Sequence, residues 1–239
     1  AALAAAVFTL GRLRGVSRPP LAAVVPSKSG PLVFLDVGAS LDATPELLAQ
    51  FALAGAAFAT VRLGLPAPRV GLLSIGEEPG KGDELRKAAH EALAALPVDF
   101  VGNVEGRDVP HGGRADVVVT DGFTGNVLAK GLEGAATMLA EVLLASLAEV
   151  PERAALLPLL AAATDHMSPE VLGGAVLLGV KGVVVVGHGA STPQGVASCV
   201  GTAVQAVREG LVDRIGGALG DLLDRTRAAA VPAPEEVPA

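Results

Sequence analysis

The sixteen residues from Ala115 to Lys130, ADVVVTDGFTGNVLAK, constrain the fold of this chain more than any other stretch, because a strand, a glycine-rich turn and a helix start follow one another without a linker. Val117 to Val119 is a β-branched run without alternation, the pattern of a strand covered on both faces. Asp121 and Gly122 break it. Gly122 and Gly125 allow backbone geometries and close approaches that a side chain would block. From Asn126 the apolar positions Val127, Leu128 and Leu132 take helical spacing. A helix start of this kind offers backbone N–H groups to an anion such as phosphate, with Thr124 and Asn126 beside them and Lys130 about one turn on. An ordinary tight turn between strand and helix is the competing reading of the same residues.

The rest of the chain repeats this alternation. Leu21 to Val25, Leu32 to Asp36, Arg69 to Ile75, Val98 to Val101 and Gly182 to Val186 read as further strands. Helices are expected from Pro45 to about Leu63 with Thr44 as N-cap, from Asp83 to about Leu96, and from about Pro193 to Glu209. Strands alternating with helices predict an α/β fold with right-handed crossovers and a mostly parallel sheet covered by helices on both faces. Ligands of such sheets bind outside the carboxyl ends of the strands. Five strand ends carry glycine with polar neighbours: Asp36 to Gly38, Gly76 to Gly82, Gly102 and Asn103, Asp121 to Asn126, and Gly187 to Gly189. All five are expected on one sheet edge, where they would line a polar crevice.

Composition narrows the partners. With 239 residues, 51% hydrophobic and 18% charged, the chain is globular rather than disordered, and one α/β domain over residues 1–227 is expected. A net charge of −7 and six Phe without Trp or Tyr argue against nucleic acid. Cys199 is the only cysteine, so no intramolecular disulfide forms. The opening AALAAAVFTL reads as the end of a helix rather than a signal segment, because no basic region precedes it and Arg12, Arg14 and Arg18 follow it. It also begins inside an apolar run without Met, and the chain is expected to be an N-terminally truncated piece. No apolar segment is expected to reach the length of a membrane span, the nearest, Ala154 to Ala163, being broken by Pro158. Glu133 to Gly174 reads as a long helical hairpin, and Leu156, Leu157, Leu159 and Leu160 beside Arg153 suit a partner helix or a membrane surface, or else a core hairpin. The tail from Ala228 is expected to be disordered.

No zinc spacing, P-loop, H-E-x-x-H or G-x-S-x-G occurs, which leaves metal hydrolysis and a serine elbow without support. Of four histidines only His188 sits at a strand end between glycines, as an oxyanion donor, a proton shuttle or a structural residue. Lys81 and Lys130 occupy glycine-rich strand-to-helix regions, as cations for a phosphate or as solvent-exposed surface lysines.

DGFTGN, together with IGEEPGKG (Ile75 to Gly82), FVGNVEGRD (Phe100 to Asp108), LLGVKG (Leu177 to Gly182) and GHGAS (Gly187 to Ser191), resembles the PlsX family of phosphate acyltransferases, in order from about residue 3 to about residue 210. These enzymes make acyl phosphate from acyl carrier protein and inorganic phosphate. The resemblance implies a fold like that of phosphotransacetylases and isopropylmalate dehydrogenases, with a long helical hairpin that makes a homodimer and an apolar tip that touches the membrane. It implies Lys81, Asn126 and His188 as catalytic residues, with Asp36, Gly38, Gly80, Asn103, Asp121, Gly122, Thr124, Gly125, Lys130 and Lys181 around the substrates. It further implies a cytoplasmic, peripherally membrane-associated enzyme of phospholipid synthesis without cofactor or metal, partnered by acyl carrier protein and a downstream glycerol-3-phosphate acyltransferase. In the mechanism expected, phosphate held by Lys81, Asn126 and turn amides attacks the thioester carbonyl without a covalent acyl-enzyme.

The chain departs from the family pattern at Ser40, Ser74, Val186 and Ala190, where Asn, Asn, Lys and Ser are common. The same fold keeps open a phosphotransacetylase-like enzyme acting on short acyl-CoA, and Ser40 and Val186 keep open a non-catalytic dimeric paralogue.

Overall fold

The computed structural model describes residues 2–148, 150–164, 173–187, 189 and 191–230, without the side chains of 161–164 and 225–230. Its strands are β1 (Leu21–Val25), β2 (Leu32–Leu35), β3 (Arg69–Ser74), β4 (Asp99–Glu105), β5 (Val117–Val119), β6 (Ala175–Leu177) and β7 (Val184–Val186). Its helices are α1 (Ala2–Leu10), α2 (Pro45–Leu63), α3 (Glu84–Ala94), α4 (Asp108–His111), α5 (Gly122–Ser146), α6 (Arg153–Thr164), α7 (Pro193–Arg208) and α8 (Leu211–Ala230). The strands form one sheet in the order β4-β3-β5-β2-β1-β6-β7.

The α/β class is borne out, but the sheet is mixed. β2, β5, β3 and β4 pair in parallel, whereas β1 is antiparallel to β2 and β6, and β6 to β7. The reason is the length of the links. Only residues 26–31 join β1 to β2 and only 178–183 join β6 to β7, too few for the helical crossover that a parallel pair requires.

Strand direction corrects the expectation of five strand ends on one edge. Leu21 pairs with Leu177, which pairs with Val184, while Ala175 pairs with Val186. β7 therefore runs away from the edge at which β2, β3 and β5 finish, and Gly187 follows at the opposite edge. Gly102 and Asn103 lie inside β4, not at its end. The register of β4 on β3 slips by one residue between Val70 and Leu72, opposite Gly102 at φ +86, as in a β-bulge.

Alternation along the strands splits the core in two. Val33, Leu35, Val117 and Val119 face one layer with α2, α3, α7 and α8, whereas Phe34 and Val118 face another with Val109 of α4 and Leu128 of α5. α2 anchors the larger layer. Thr44 accepts from the Leu47 N–H at 3.3 Å, Pro45 supplies the first helical residue, and Gly64 at φ +70 ends the helix. Leu48, Phe51 and Phe58 of α2 are buried. Among the described residues α2 is long and apolar enough to cross a membrane, contrary to the sequence reading, yet it is mostly buried between sheet and helices and is a core helix.

The hairpin starts earlier than its apolar pattern indicated. α5 begins at Gly122, and only Gly122 and Gly125 along it are buried. Met138, Leu139 and Val142 of α5, and Leu156 and Leu159 of α6, are exposed, and Leu157 and Leu160 are half-buried. This is a hairpin standing off the sheet rather than a core hairpin, and its expected continuation over 165–172 lies outside the described residues. β6 and α8 were not anticipated. α8 buries Leu211, Ile215 and Leu219 at four-residue spacing. It carries residues 228–230 as helix, and the rest of the expected tail, 231–239, lies outside the described residues.

Candidate functional site

Where β2 ends, the chain folds back on one carboxylate. Asp36 is fully buried, and it accepts from the N–H groups of Leu21, Gly38 and Ala39 at 3.0, 3.1 and 2.9 Å and from Ser40 at 2.7 Å. Burial pushes its carboxyl above the usual range, against the four N–H groups that favour the charged form. Asp36 thus shapes the loop 36–40 and ties it to β1, with its acceptor capacity spent inside the protein. Asn126 braces the same loop from α5. Its carboxamide N–H reaches the Val37 carbonyl at 3.0 Å, and a Cβ on Gly38, at φ +128, would sit 3.0 Å from the Asn126 Nδ2.

The start of α5 gives much of its donor capacity to the protein itself. Asp121 is its N-cap and accepts from the Thr124 N–H at 2.9 Å and the Thr124 hydroxyl at 2.8 Å. The Gly122 N–H is given to the Ser40 carbonyl at 2.8 Å and the Gly125 N–H to the Asp121 carbonyl at 2.9 Å. The N–H groups of Gly122, Thr124 and Gly125 are thus given within the protein, and the Asp121 carboxylate stands at the helix start where an anion is favoured. The two glycines have another purpose. A Cβ on Gly122 would lie 2.5 Å from the Ser40 carbonyl oxygen, so α5 can seat against loop 36–40 only without side chains there.

Arg86 was not singled out in the sequence. From the first turn of α3 its guanidinium reaches Asp121, Thr124 Oγ1 at 3.0 Å, Thr120 Oγ1 at 3.2 Å and Asp83 at 3.0 Å, with only 11% of the side chain exposed. Burial alone would raise the Asp121 pKa, but the Thr124 N–H and hydroxyl and the Arg86 cation together hold it below the usual range. The available signal was position. Arg86 lies three residues beyond Asp83, the N-cap of α3, which directs it back over the glycine-rich loop.

Lys81 lies on that loop, exposed, with its N–H bonded to the Glu78 carbonyl at 3.0 Å and its carbonyl accepting from Ser74 Oγ at 3.1 Å. Gly80 is open, with no atom within 4 Å of a built Cβ. Asn103 holds the turn from β4. Its Nδ2 donates to the Glu78 carbonyl at 2.8 Å, while its Oδ1 is buried without a partner. Lys81, Asn103, Asp36, Gly38, Asp121, Gly122, Thr124, Gly125 and Asn126 are thus brought to one edge.

The remaining residues are not. Lys130 sits two turns along α5, paired with Glu133 at 2.6 Å. Lys181 is exposed in the link between β6 and β7, against Gly11 rather than α5. His188 and Ala190 lie outside the described residues.

Two cavities flank the loop after β2. One, of about 470 Å³, is bounded by residues 41–43, α3 and α5, and its lining includes Asp42 together with Arg86 in its pairs with Asp83 and Asp121. The other, of about 310 Å³, lies between α1 and residues 39–40.

Comparison with known proteins fits this architecture. Residues 1–214 match the model of the family described as "Fatty acid synthesis protein". A phosphate acyltransferase of Desulforudis audaxviator is 44% identical over 226 residues, 93% of this chain and 67% of the relative. One from Desulfitobacterium hafniense is 40% identical over 219 residues, 90% of this chain and 66% of the relative. The chain thus spans about two thirds of the length of these curated relatives. A phosphotransacetylase from Streptococcus pyogenes shares the fold, with a TM-score of 0.56 and 18% identity over 85% of this chain and 58% of that one. The motifs DGFTGN, IGEEPGKG and LLGVKG fall within the matched residues, and this chain belongs to the fatty acid synthesis protein family, the PlsX family of its motifs.

Proposed function

We propose that this protein transfers a fatty acyl group from acyl carrier protein to inorganic phosphate, at the edge where β2, β3 and β5 end. The observation that carries the reading is the 44% identity to a phosphate acyltransferase over 93% of the chain. The chemistry needs little from the protein beyond placement. An oxygen of hydrogen phosphate attacks the thioester carbonyl carbon, a C–O bond forms as the C–S bond breaks, and the phosphate proton leaves with the thiolate as free thiol. Atoms and charge balance without cofactor or metal, and no acyl-enzyme is required. Positioning of two substrates and donors aimed at the developing oxyanion supply the rate.

Asn126 and Lys81 remain the residues proposed to act there, Asn126 from α5 against the loop 36–40 and Lys81 on the open turn beside Gly80. His188 is proposed on the family resemblance alone. The exposed apolar residues of α5 and α6 support a homodimer through the hairpin and peripheral contact with a membrane. A cytoplasmic place in phospholipid synthesis, handing acyl phosphate to a glycerol-3-phosphate acyltransferase, completes the proposal.

The test incubates the protein with palmitoyl carrier protein or with acetyl-CoA, each with and without phosphate. Phosphate-dependent loss of the palmitoyl thioester alone is expected. Preference for acetyl-CoA would shift the reading to a phosphotransacetylase, and no loss of either would leave a non-catalytic paralogue.

A further inference from the structure

The cavity of about 310 Å³ beside α1 differs in character from the one beside α5. Leu3, Val7 and Phe8 of α1 and Leu177 of β6 give it apolar lining, and Arg12 and Arg18 line it as well. α1 buries none of its residues, and Phe8 is 89% exposed. Both arginines are anchored by neutral groups. Arg12 donates to the Ser17 carbonyl, and Arg18 to the Asp42 carbonyl at 2.9 Å. Neither forms an ion pair among the described residues, whereas Arg69, Arg86, Arg107 and Arg114 each face a carboxylate. In a chain of net charge −7, two uncompensated guanidinium groups over an apolar wall select a ligand with an anionic head and an apolar tail.

We propose that this cavity is the acyl phosphate subsite, with the phosphate between Arg12 and Arg18 and the first methylenes of the chain against Leu3, Val7 and Leu177. The proposal rests on the acyltransferase reading and adds where its product binds. Residues 39–40 line this cavity and residues 41–43 the other, so one loop lies between them, and the Arg18 bond to the Asp42 carbonyl ties the cationic side to that loop. At 310 Å³ the site is at the small end for a ligand pocket, so the rest of a long chain lies along the exposed apolar side of α1.

The test is calorimetric binding of dodecyl phosphate, with inorganic phosphate and dodecanol as head-only and tail-only probes. It uses the wild type, the double variant Arg12→Ala/Arg18→Ala and the filling variant Ala4→Trp, with thermal melts to verify folding. Ala4 lines the cavity from an exposed position, so the filling variant does not disturb the core. Dodecyl phosphate is expected to bind the wild type more tightly than either partial probe, and about tenfold or more weakly to each folded variant. Equal affinity in wild type and both variants overturns the subsite, as does inorganic phosphate binding as well as dodecyl phosphate. Acyl phosphate formation that dodecyl phosphate inhibits equally in the wild type and both variants also overturns the subsite while leaving the acyltransferase reading intact. Dodecyl phosphate binding lost in the variants, in a protein that consumes no thioester, supports the subsite and overturns that reading.

Discussion

Gly125 packs so closely under Asp36 that a Cβ built on it would lie 1.9 Å from the Asp36 carbonyl oxygen. The contact involves backbone on one side and a helix start on the other, so neither partner can yield cheaply. Gly125→Ala is expected to lower folding stability by about 2 kcal/mol or more through overpacking, read as a drop in the urea midpoint. An alanine variant as stable as the wild type would mean that α5 is not seated on loop 36–40.

Arg86 links three segments through one guanidinium, and its partners Asp121 and Thr120 are buried. Arg86→Ala strands the Asp121 charge in a shielded place and is expected to cost about 2–3 kcal/mol. Arg86→Lys keeps the charge but not the planar fork, and recovers less than half of that loss. Full rescue by lysine in a thermal melt would refute the role of the fork.

Two partly or fully buried carboxylates contribute to the acid limb of stability. Hydrogen bonding from Arg69 holds the Asp116 pKa low. At Asp121 burial is outweighed by Thr124 and Arg86, which again hold it low. Because their folded values lie below the unfolded value of about 3.9, their stabilisation is present above about pH 4 and is lost as pH falls through the folded values. Asp36, raised by burial, has the opposite sign: its ionised form costs stability above its raised value, and the cost is relieved as pH falls. Urea midpoints between pH 7 and pH 3 are expected to fall at the acid end, and the gap between wild type and Asp121→Asn to narrow below about pH 4. A gap independent of pH contradicts the assignment.

Asn126 braces the Val37 carbonyl at 3.0 Å from the surface of α5. One neutral hydrogen bond contributes about 1 kcal/mol, so Asn126→Ala should remain folded. Loosening of loop 36–40 at the proposed edge is nonetheless expected to lower turnover about a hundredfold, a loss typical of a misplaced site. Unimpaired turnover in a steady-state assay would remove Asn126 from the site.

Local signals were read well and long-range ones were not. α2 was legible at both ends, because Thr44, Pro45 and Gly64 act within one turn of the residues they cap. The beginning of α5 was placed four residues late, since Gly122 and Gly125 look like turn residues in sequence. Their need for glycine comes from Ser40 and Asp36, far away along the chain. The direction of β7 depends on which strands it pairs with, information absent from GVVVV itself. Arg86 escaped notice for the same reason, as its partners Thr120, Asp121 and Thr124 belong to another strand and helix.

The claim that everything else serves is that the thioester acyl group ends on phosphate oxygen. ³¹P nuclear magnetic resonance of the protein with palmitoyl carrier protein and phosphate measures this directly. A new mixed-anhydride phosphorus signal growing in step with free thiol is the expected result. Thiol release at the same rate with phosphate omitted, and no new phosphorus signal, would contradict it.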